Sequence, residues 1–288
     1  SLKRPKHIFV IKLLGGGSLF SLSPTLFHLQ QKYPDVKISL IGSKGVKAFA
    51  GVLPFFHQFI EIEDHGFWPL LSSCLKAWWA LWKHADVTID LELHSRLTTA
   101  LTSLSATRDR IGLIDSHSQW RRRIYTHSIY VFPATSSYSA YDALAQLFGI
   151  DTFHMQEYKT FFKENIQCQI PSELENLRKS IREQNKSLIA LGLFCSDLAK
   201  ERELPFSVWS QLLQNLAHNH RCHFLLLGGP QDKTPANQLI ASLPVDLHSQ
   251  ITNACGLLSL KQSIQMIEHS RFFIGIDSAL IHLARFLE

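Results

Sequence analysis

Short apolar runs rich in β-forming residues recur along this chain. Each is followed by a turn and then by apolar residues three or four positions apart. The first pattern suits a buried strand, the second a helix with one apolar face. Strands are predicted at Ile8–Leu14, Val36–Ile41, Phe56–Ile62, Val87–Leu91 and from Arg110 to Leu113. They resume at Leu188–Leu193, His223–Leu227 and Phe272–Ile276. After Gly15-Gly16-Gly17 a helical pattern runs through Leu22, Leu26 and Leu29, with Pro24 suited to a first helical turn. Further helices are predicted at Lys44–Val52, Leu70–His84, Ala140–Phe148, Ser172–Asn185, Phe206–Ala217, Asn237–Leu243 and Leu260–Glu268. The closing stretch, Arg271–Glu288, condenses the pattern. It reads as a buried parallel strand, the capping pair Asp277-Ser278, and a helix with Leu280, Ile281, Leu283 and Leu287 on its apolar face. Alternation of this kind argues for an α/β protein with parallel sheets.

The alternation breaks between Asp151 and Lys186, where the sequence turns polar and irregular with strand-like pieces. A domain junction is placed here, giving Rossmann-like domains at 1–165 and 166–288. With 45% hydrophobic and 18% charged residues in a chain of 288, a substantial core can form and disorder is disfavoured. A net charge of +5, with 15 histidines besides, fits anionic ligands or a membrane surface. It is too small and too dispersed to argue for nucleic acid. Five cysteines, far apart and without a CxxC pair, point to a reduced cytosolic compartment and no zinc site. No signal peptide is evident, and no uncharged apolar run reaches the length of a membrane span. The Trp-rich helix Leu70–His84 reads first as a helix packed on a sheet, with interfacial membrane contact as the alternative.

Candidate chemistry collects at predicted strand ends, where open α/β sheets bind ligands. Asp277 and Ser278 stand at such an end. A helix N-terminus there suits a phosphate, with His282 in reach, although Asp-Ser is also an ordinary cap. The Gly15–Gly17 run permits close backbone approach to a ligand but matches neither GxGxxG nor a P-loop, so a tight turn explains it equally well. Glu92, His94, Ser95 and Arg96 follow the fourth strand and could orient a hydroxylated ligand or form a solvated cap. Arg121-Arg122-Arg123 is either an anion-binding loop or a solvated face.

Taken in order, these segments resemble glycosyltransferase family 9, the lipopolysaccharide heptosyltransferase family. The glycine turn with QQKYPDVKISLIG resembles the family's first βαβ unit, and ADVTIDLELHSR its fourth strand. RDRIGL and RRRIYTHSIYV resemble the region that follows. FLLLGGPQDK resembles the strand–GGP–acidic segment, and GLLSLKQSIQMIEHSRFFIGIDSALIHLA the most specific signature. The resemblance implies a GT-B fold, with two Rossmann-like domains facing each other across a cleft. It implies inverting, metal-independent transfer of a sugar from a nucleotide-sugar such as ADP-heptose to a lipid-linked saccharide acceptor. No separate cofactor is implied. A cytoplasmic location, peripheral at the inner membrane, is expected from the missing signal, the thiol pattern and the family's lipid-linked acceptors together. By resemblance, Lys200 (with Arg202 as competitor), Asp232, Asp277, Ser278 and His282 bind the donor. Gly17, Arg96, Arg121 and Arg122 lie on the acceptor side.

Three departures bear on catalysis. The family's general base is an Asp at the position of Ser18, and a serine hydroxyl has no ionised form near neutral pH to take a proton. Glu92 and His94, on the same topological side, are the candidate substitutes. The family glycine in the last signature is Ala279. The family also continues past the position matching Glu288, so the C-terminal domain is expected to be incomplete. The alternative reading is a non-catalytic relative that binds nucleotide sugar or glycan. A dinucleotide-dependent oxidoreductase is disfavoured because GxGxxG is missing.

Overall fold

In a computed structural model, residues 4–132, 137–195, 197–276 and 278–287 are described. Their contacts divide the chain into two compact units, Ser1–Tyr158 and Lys159–Glu288.

The first unit begins with β1 (His7–Lys12), α1 (Gly17–Lys32), β2 (Lys37–Gly42), α2 (Lys44–Ala50) and β3 (Gln58–Glu61). It continues with α3 (Phe67–His84), β4 (Val87–Asp90), α4 (Arg96–Leu104), β5 (Asp109–Ile114) and β6 (His127–Tyr130). Helix α5 (Ser137–Leu147) follows. The six strands pair in parallel in the order β3-β2-β1-β4-β5-β6. Residues Ile8–Ile11 of β1 are wholly buried, as a central strand covered on both faces requires. Strand order reverses between β1 and β4, so the crevice at their carboxyl ends is the expected ligand position.

Helix α6 (Met155–Ile166) carries the division between the units. The second unit then runs through α7 (Ser172–Glu183), β7 (Ser187–Gly192), α8 (Phe206–Asn219), β8 (Cys222–Leu226) and α9 (Lys233–Ser242). It closes with α10 (Val245–His248), β9 (Ile251–Asn253), α11 (Leu260–Glu268), β10 (Phe272–Gly275) and α12 (Ala279–Ala284). Its parallel sheet has the order β10-β7-β8-β9, with the reversal between β7 and β10. Ile189, Leu191, Phe224 and Leu226 pack against Trp209, Leu213 and Leu239 of the flanking helices.

The alternation read from sequence is present, with four corrections. The stretch after Asp151 contains the regular helix α6, because Tyr158, Phe162 and Ile166 form a buried ridge at four-residue spacing. Strand β10 is parallel but lies at the edge of its sheet among the described residues, and Phe272 is 57% exposed rather than buried. Pro24 lies inside α1, not in its first turn. Elements α4, β6, α10 and β9 lie outside the predicted spans.

Candidate active site

The glycine turn after β1 is built by two steric demands. Gly15 has φ +70°, a left-handed conformation that L side chains rarely adopt. A Cβ on Gly16 would stand 2.1 Å from the Phe49 ring of α2. The turn therefore delivers Gly17 and Ser18 to the start of α1 at the carboxyl end of β1. The Ser18 hydroxyl donates to the Gly15 carbonyl at 3.0 Å. Tyr141 of α5 also hydrogen-bonds Ser18, and burial pushes its phenol up to about 12, so the ring stays neutral.

A carboxylate sits against the same turn. Glu92, just past the end of β4, accepts the Leu13 and Leu14 N–H groups on Oε1 at 2.8 and 3.0 Å. Lys12 Nζ reaches the same oxygen at 3.1 Å. Both side chains of that ion pair are nearly buried. No donor among the described residues meets Oε2. Three donors on one oxygen fix the orientation of the carboxylate. Sequence reasoning named Glu92 but missed Lys12, which ends β1 beside it.

Beneath Glu92 lies a buried network. Asp90 and Arg121 pair through Oδ2 and Nη2 at 2.6 Å, with both side chains wholly inaccessible to solvent. The Arg121 guanidinium also donates to the Glu92 carbonyl, to Tyr125 OH and, through Nε at 2.8 Å, to Thr99 Oγ1. Tyr125 OH donates to Asp90 at 2.7 Å, and the Glu92 N–H to Asp90 Oδ1 at 3.0 Å. Burial raises the Asp90 carboxyl above its ordinary value, against the opposing pull of Arg121, Tyr125 and the Glu92 N–H. Arg121, expected to contact an acceptor, is therefore a buried strut for the end of β4. Its neighbours Arg122 and Arg123 are exposed, so the basic run divides between two environments.

His94 is largely exposed, 3.3 Å from Asp115 at the end of β5. Burial would push Asp115 up, but the Ser118 hydroxyl, the His117 N–H and His94 outweigh it and hold the carboxyl below its usual range. Ser95 caps α4 by accepting the Thr98 N–H at 3.2 Å, which leaves Arg96 exposed at the first helical position.

In the second unit, Lys200 is exposed on a short 3₁₀ turn, Asp197–Arg202, which follows β7. Glu203 closes this segment: its N–H meets the Lys200 carbonyl, and its Oε1 accepts the Cys195 N–H at 3.1 Å. Ser278 follows β10. Its hydroxyl does not cap α12, and its buried Oγ has no hydrogen-bond partner among the described residues. His282 lies on α12, and Asp277 falls outside the described residues. Helix α12 has six residues, so its dipole is small. Asp232 is buried behind the Gly228–Gly229 turn after β8 and accepts the Gly229 N–H at 2.7 Å. Side chains from the ends of β7, β8 and β10 thus share one edge of the sheet. A cavity of about 330 Å³, lined in part by Lys186, His218, His220 and Arg221, lies instead at the strands' amino ends. Among the described residues, no group of three or more His, Cys, Asp or Glu side chains could hold a metal ion.

Among curated protein sequences, none matches the chain significantly. Solved structures do match. Escherichia coli ADP-heptose lipopolysaccharide heptosyltransferase II superposes with a TM-score of 0.68 at 17% identity, covering 98% of this chain and 82% of that one. E. coli heptosyltransferase WaaC, solved with ADP-2-deoxy-2-fluoro heptose, gives 0.71 at 16%, covering 98% and 86%. A family 9 glycosyl transferase from Veillonella parvula gives 0.67 at 15%, covering 98% and 78%. At such identities the likeness speaks for the fold, which is the GT-B-like α/β fold. The sequence model of glycosyltransferase family 9 (heptosyltransferase) matches residues 78–288. That match spans both units and takes in Glu92, the buried Arg121 and the ends of β7, β8 and β10, so the chain belongs to glycosyltransferase family 9 and is a glycosyltransferase.

Proposed function

We propose that the protein transfers a sugar from a nucleoside-diphosphate donor to a hydroxyl of a lipid-linked saccharide, with inversion, without a metal, and with Glu92 as general base. The observation that carries this is the Glu92 carboxylate, held by Lys12 and two backbone N–H groups against the turn that bears Ser18. A family base is missing at Ser18, and a carboxylate from the neighbouring strand stands beside the gap. In the reaction, Glu92 Oε2 takes the acceptor proton as the acceptor oxygen attacks the anomeric carbon. The bond from that carbon to the diphosphate oxygen breaks on the opposite face, and the nucleoside diphosphate leaves with the bonding pair. Lys200 supplies a counter-charge to the departing phosphates, and the Ser278 hydroxyl supplies a donor. ADP-heptose, bound by a structural neighbour in fluorinated form, is the first donor to test.

The test is calorimetric titration with ADP, UDP, GDP and ADP-heptose, followed by a nucleoside-diphosphate release assay. Glu92→Gln is expected to lower turnover by about 10²–10⁴-fold without weakening nucleotide binding. Adding Ser18→Asp to that variant should recover part of the loss. Full turnover by Glu92→Gln would exclude it as the base. A shift of the acid limb of the pH profile on His94→Ala, with none on Glu92→Gln, would move the role to the His94–Asp115 pair. A folded sample that binds no nucleotide would overturn the reading as a whole.

A further inference from the structure

Helix α3 is apolar on two opposite faces. Ala77 and Leu81 are wholly buried and join the core of the first unit, with Leu70, Cys74 and Trp78 packed beside them. At 100° per residue, Trp68, Leu71, Leu75, Trp79 and Trp82 line up on the other side. This second stripe is open: Trp68 is 74% exposed, Leu75 54%, Trp79 52% and Trp82 53%. Single exposed apolar residues need no explanation, but a continuous row along one helix does. The rings are also mutually packed, with Trp79 and Trp82 centroids 5.3 Å apart. Trp78, which leans on this group at 6.4 Å from Trp82, has its indole N–H satisfied by the Leu104 carbonyl at 2.8 Å.

Charge selects the occupant. Helix α3 contains no acidic residue, and its cations Lys76 and Lys83 are both exposed on one flank of the stripe. The carboxylates Glu63 and Asp64 precede the helix in the chain. The Glu63 backbone is tied to Ser73 Oγ on the packed side at 3.0 Å, and Asp64 is paired with His65 at 3.3 Å. A second copy of the chain docked through this face would set lysine toward lysine with no carboxylate from either helix to answer them. An anionic lipid surface supplies the missing charge. Its headgroup layer also accepts indole rings, whose apolar body and polar N–H suit a boundary.

We propose that α3 docks the first unit onto anionic lipid, with the Trp68–Trp82 stripe at the headgroup boundary and Lys76 and Lys83 on phosphate. The proposal adds a place to the lipid-linked acceptor reading, and its test is separable from that reading. Vesicles without acceptor report docking alone, and nucleotide titration in solution reports the donor site alone.

The experiment is co-sedimentation of the full chain with sucrose-loaded vesicles, either phosphatidylethanolamine–phosphatidylglycerol or phosphatidylcholine only. The expected result is binding to the anionic vesicles with a blue shift of Trp emission. Trp79→Ser/Trp82→Ser should weaken partitioning by about tenfold or more. Lys76→Glu/Lys83→Glu should abolish the preference for anionic lipid and its salt sensitivity. Both pairs are exposed, and circular dichroism with thermal melting verifies the fold of each variant. Wild-type protein that stays in the supernatant, or a Trp pair variant that binds like wild type, overturns the proposal. A dimer in sedimentation velocity that Trp79→Ser/Trp82→Ser dissociates, without vesicle binding by the wild type, would assign the face to a second copy instead.

Discussion

Pro24 stands inside α1, where its ring nitrogen cannot donate to the Phe20 carbonyl one turn earlier. The preceding residue repairs the gap, since Ser23 Oγ donates to that carbonyl at 2.6 Å while also meeting Tyr158 OH. The position is fully buried, so water cannot substitute. Ser23→Ala is expected to lower the unfolding free energy by about 1–3 kcal/mol, read by chemical denaturation. Adding Pro24→Ala restores a backbone N–H and should recover part of the loss. No recovery would mean that Ser23 chiefly serves Tyr158. Arg121 makes the same point with charge. Arg121→Met leaves Asp90 buried without its counter-ion and should cost about 3–5 kcal/mol, whereas Asp90→Asn/Arg121→Met should cost less than the two single changes summed. Additive losses would show that the pair is not coupled. Neither role was legible in the sequence. Three consecutive arginines look alike until the fold brings Asp90, far upstream, beneath only one of them. Glu92 was legible as chemistry because it follows a strand, but its contact with the Ser18 turn arises from the pairing of β1 with β4.

Elements were readable where local signals coincide. Helix α11 matches its predicted span because Ser259 and Gln262 form a reciprocal capping box in front of an amphipathic run. Helix α6 was missed because its buried ridge is one residue wide, with lysine, glutamate and threonine between Tyr158, Phe162 and Ile166. A narrow stripe resembles irregular sequence until packing shows which face is inside. Strand β10 shows the converse error. Its apolar run predicts burial, yet among the described residues it lies at a sheet edge and is covered only partly. Helix α3 shows the limit of patterning most plainly. Its core face and its open face are both apolar, and only the placement of Ala77 and Leu81 against the sheet tells one from the other.

Over the whole molecule, buried titratable groups set how stability falls at each end of the pH range. His7, His223 and His269 are all lowered from an ordinary value of 6.5, chiefly by burial, with His223 near 4 beside Thr252 Oγ1 at 2.9 Å. A histidine lowered on folding stabilises the native state above its unfolded value, and the contribution is lost as pH falls toward the folded one. Asp115, held low, works in the same direction, while Asp90, raised by burial, opposes it. On the alkaline side all five cysteines are raised from 9.0, first by burial, with Cys255 near 12 beside Asp232. Their contribution is complete below pH 9.0 and lost above it, because the unfolded thiols ionise first. Thermal melts from pH 4 to 10 should therefore show a plateau of Tm between about 6.5 and 9, with a decline on each side. His223→Asn, which keeps a donor for Thr252, should flatten the acid decline and leave the alkaline one unchanged. A Tm that climbs steadily as pH falls from 6.5 to 5 would show that charge-driven stabilisation elsewhere outweighs the buried imidazoles. An unchanged acid limb in His223→Asn would remove this residue from the account.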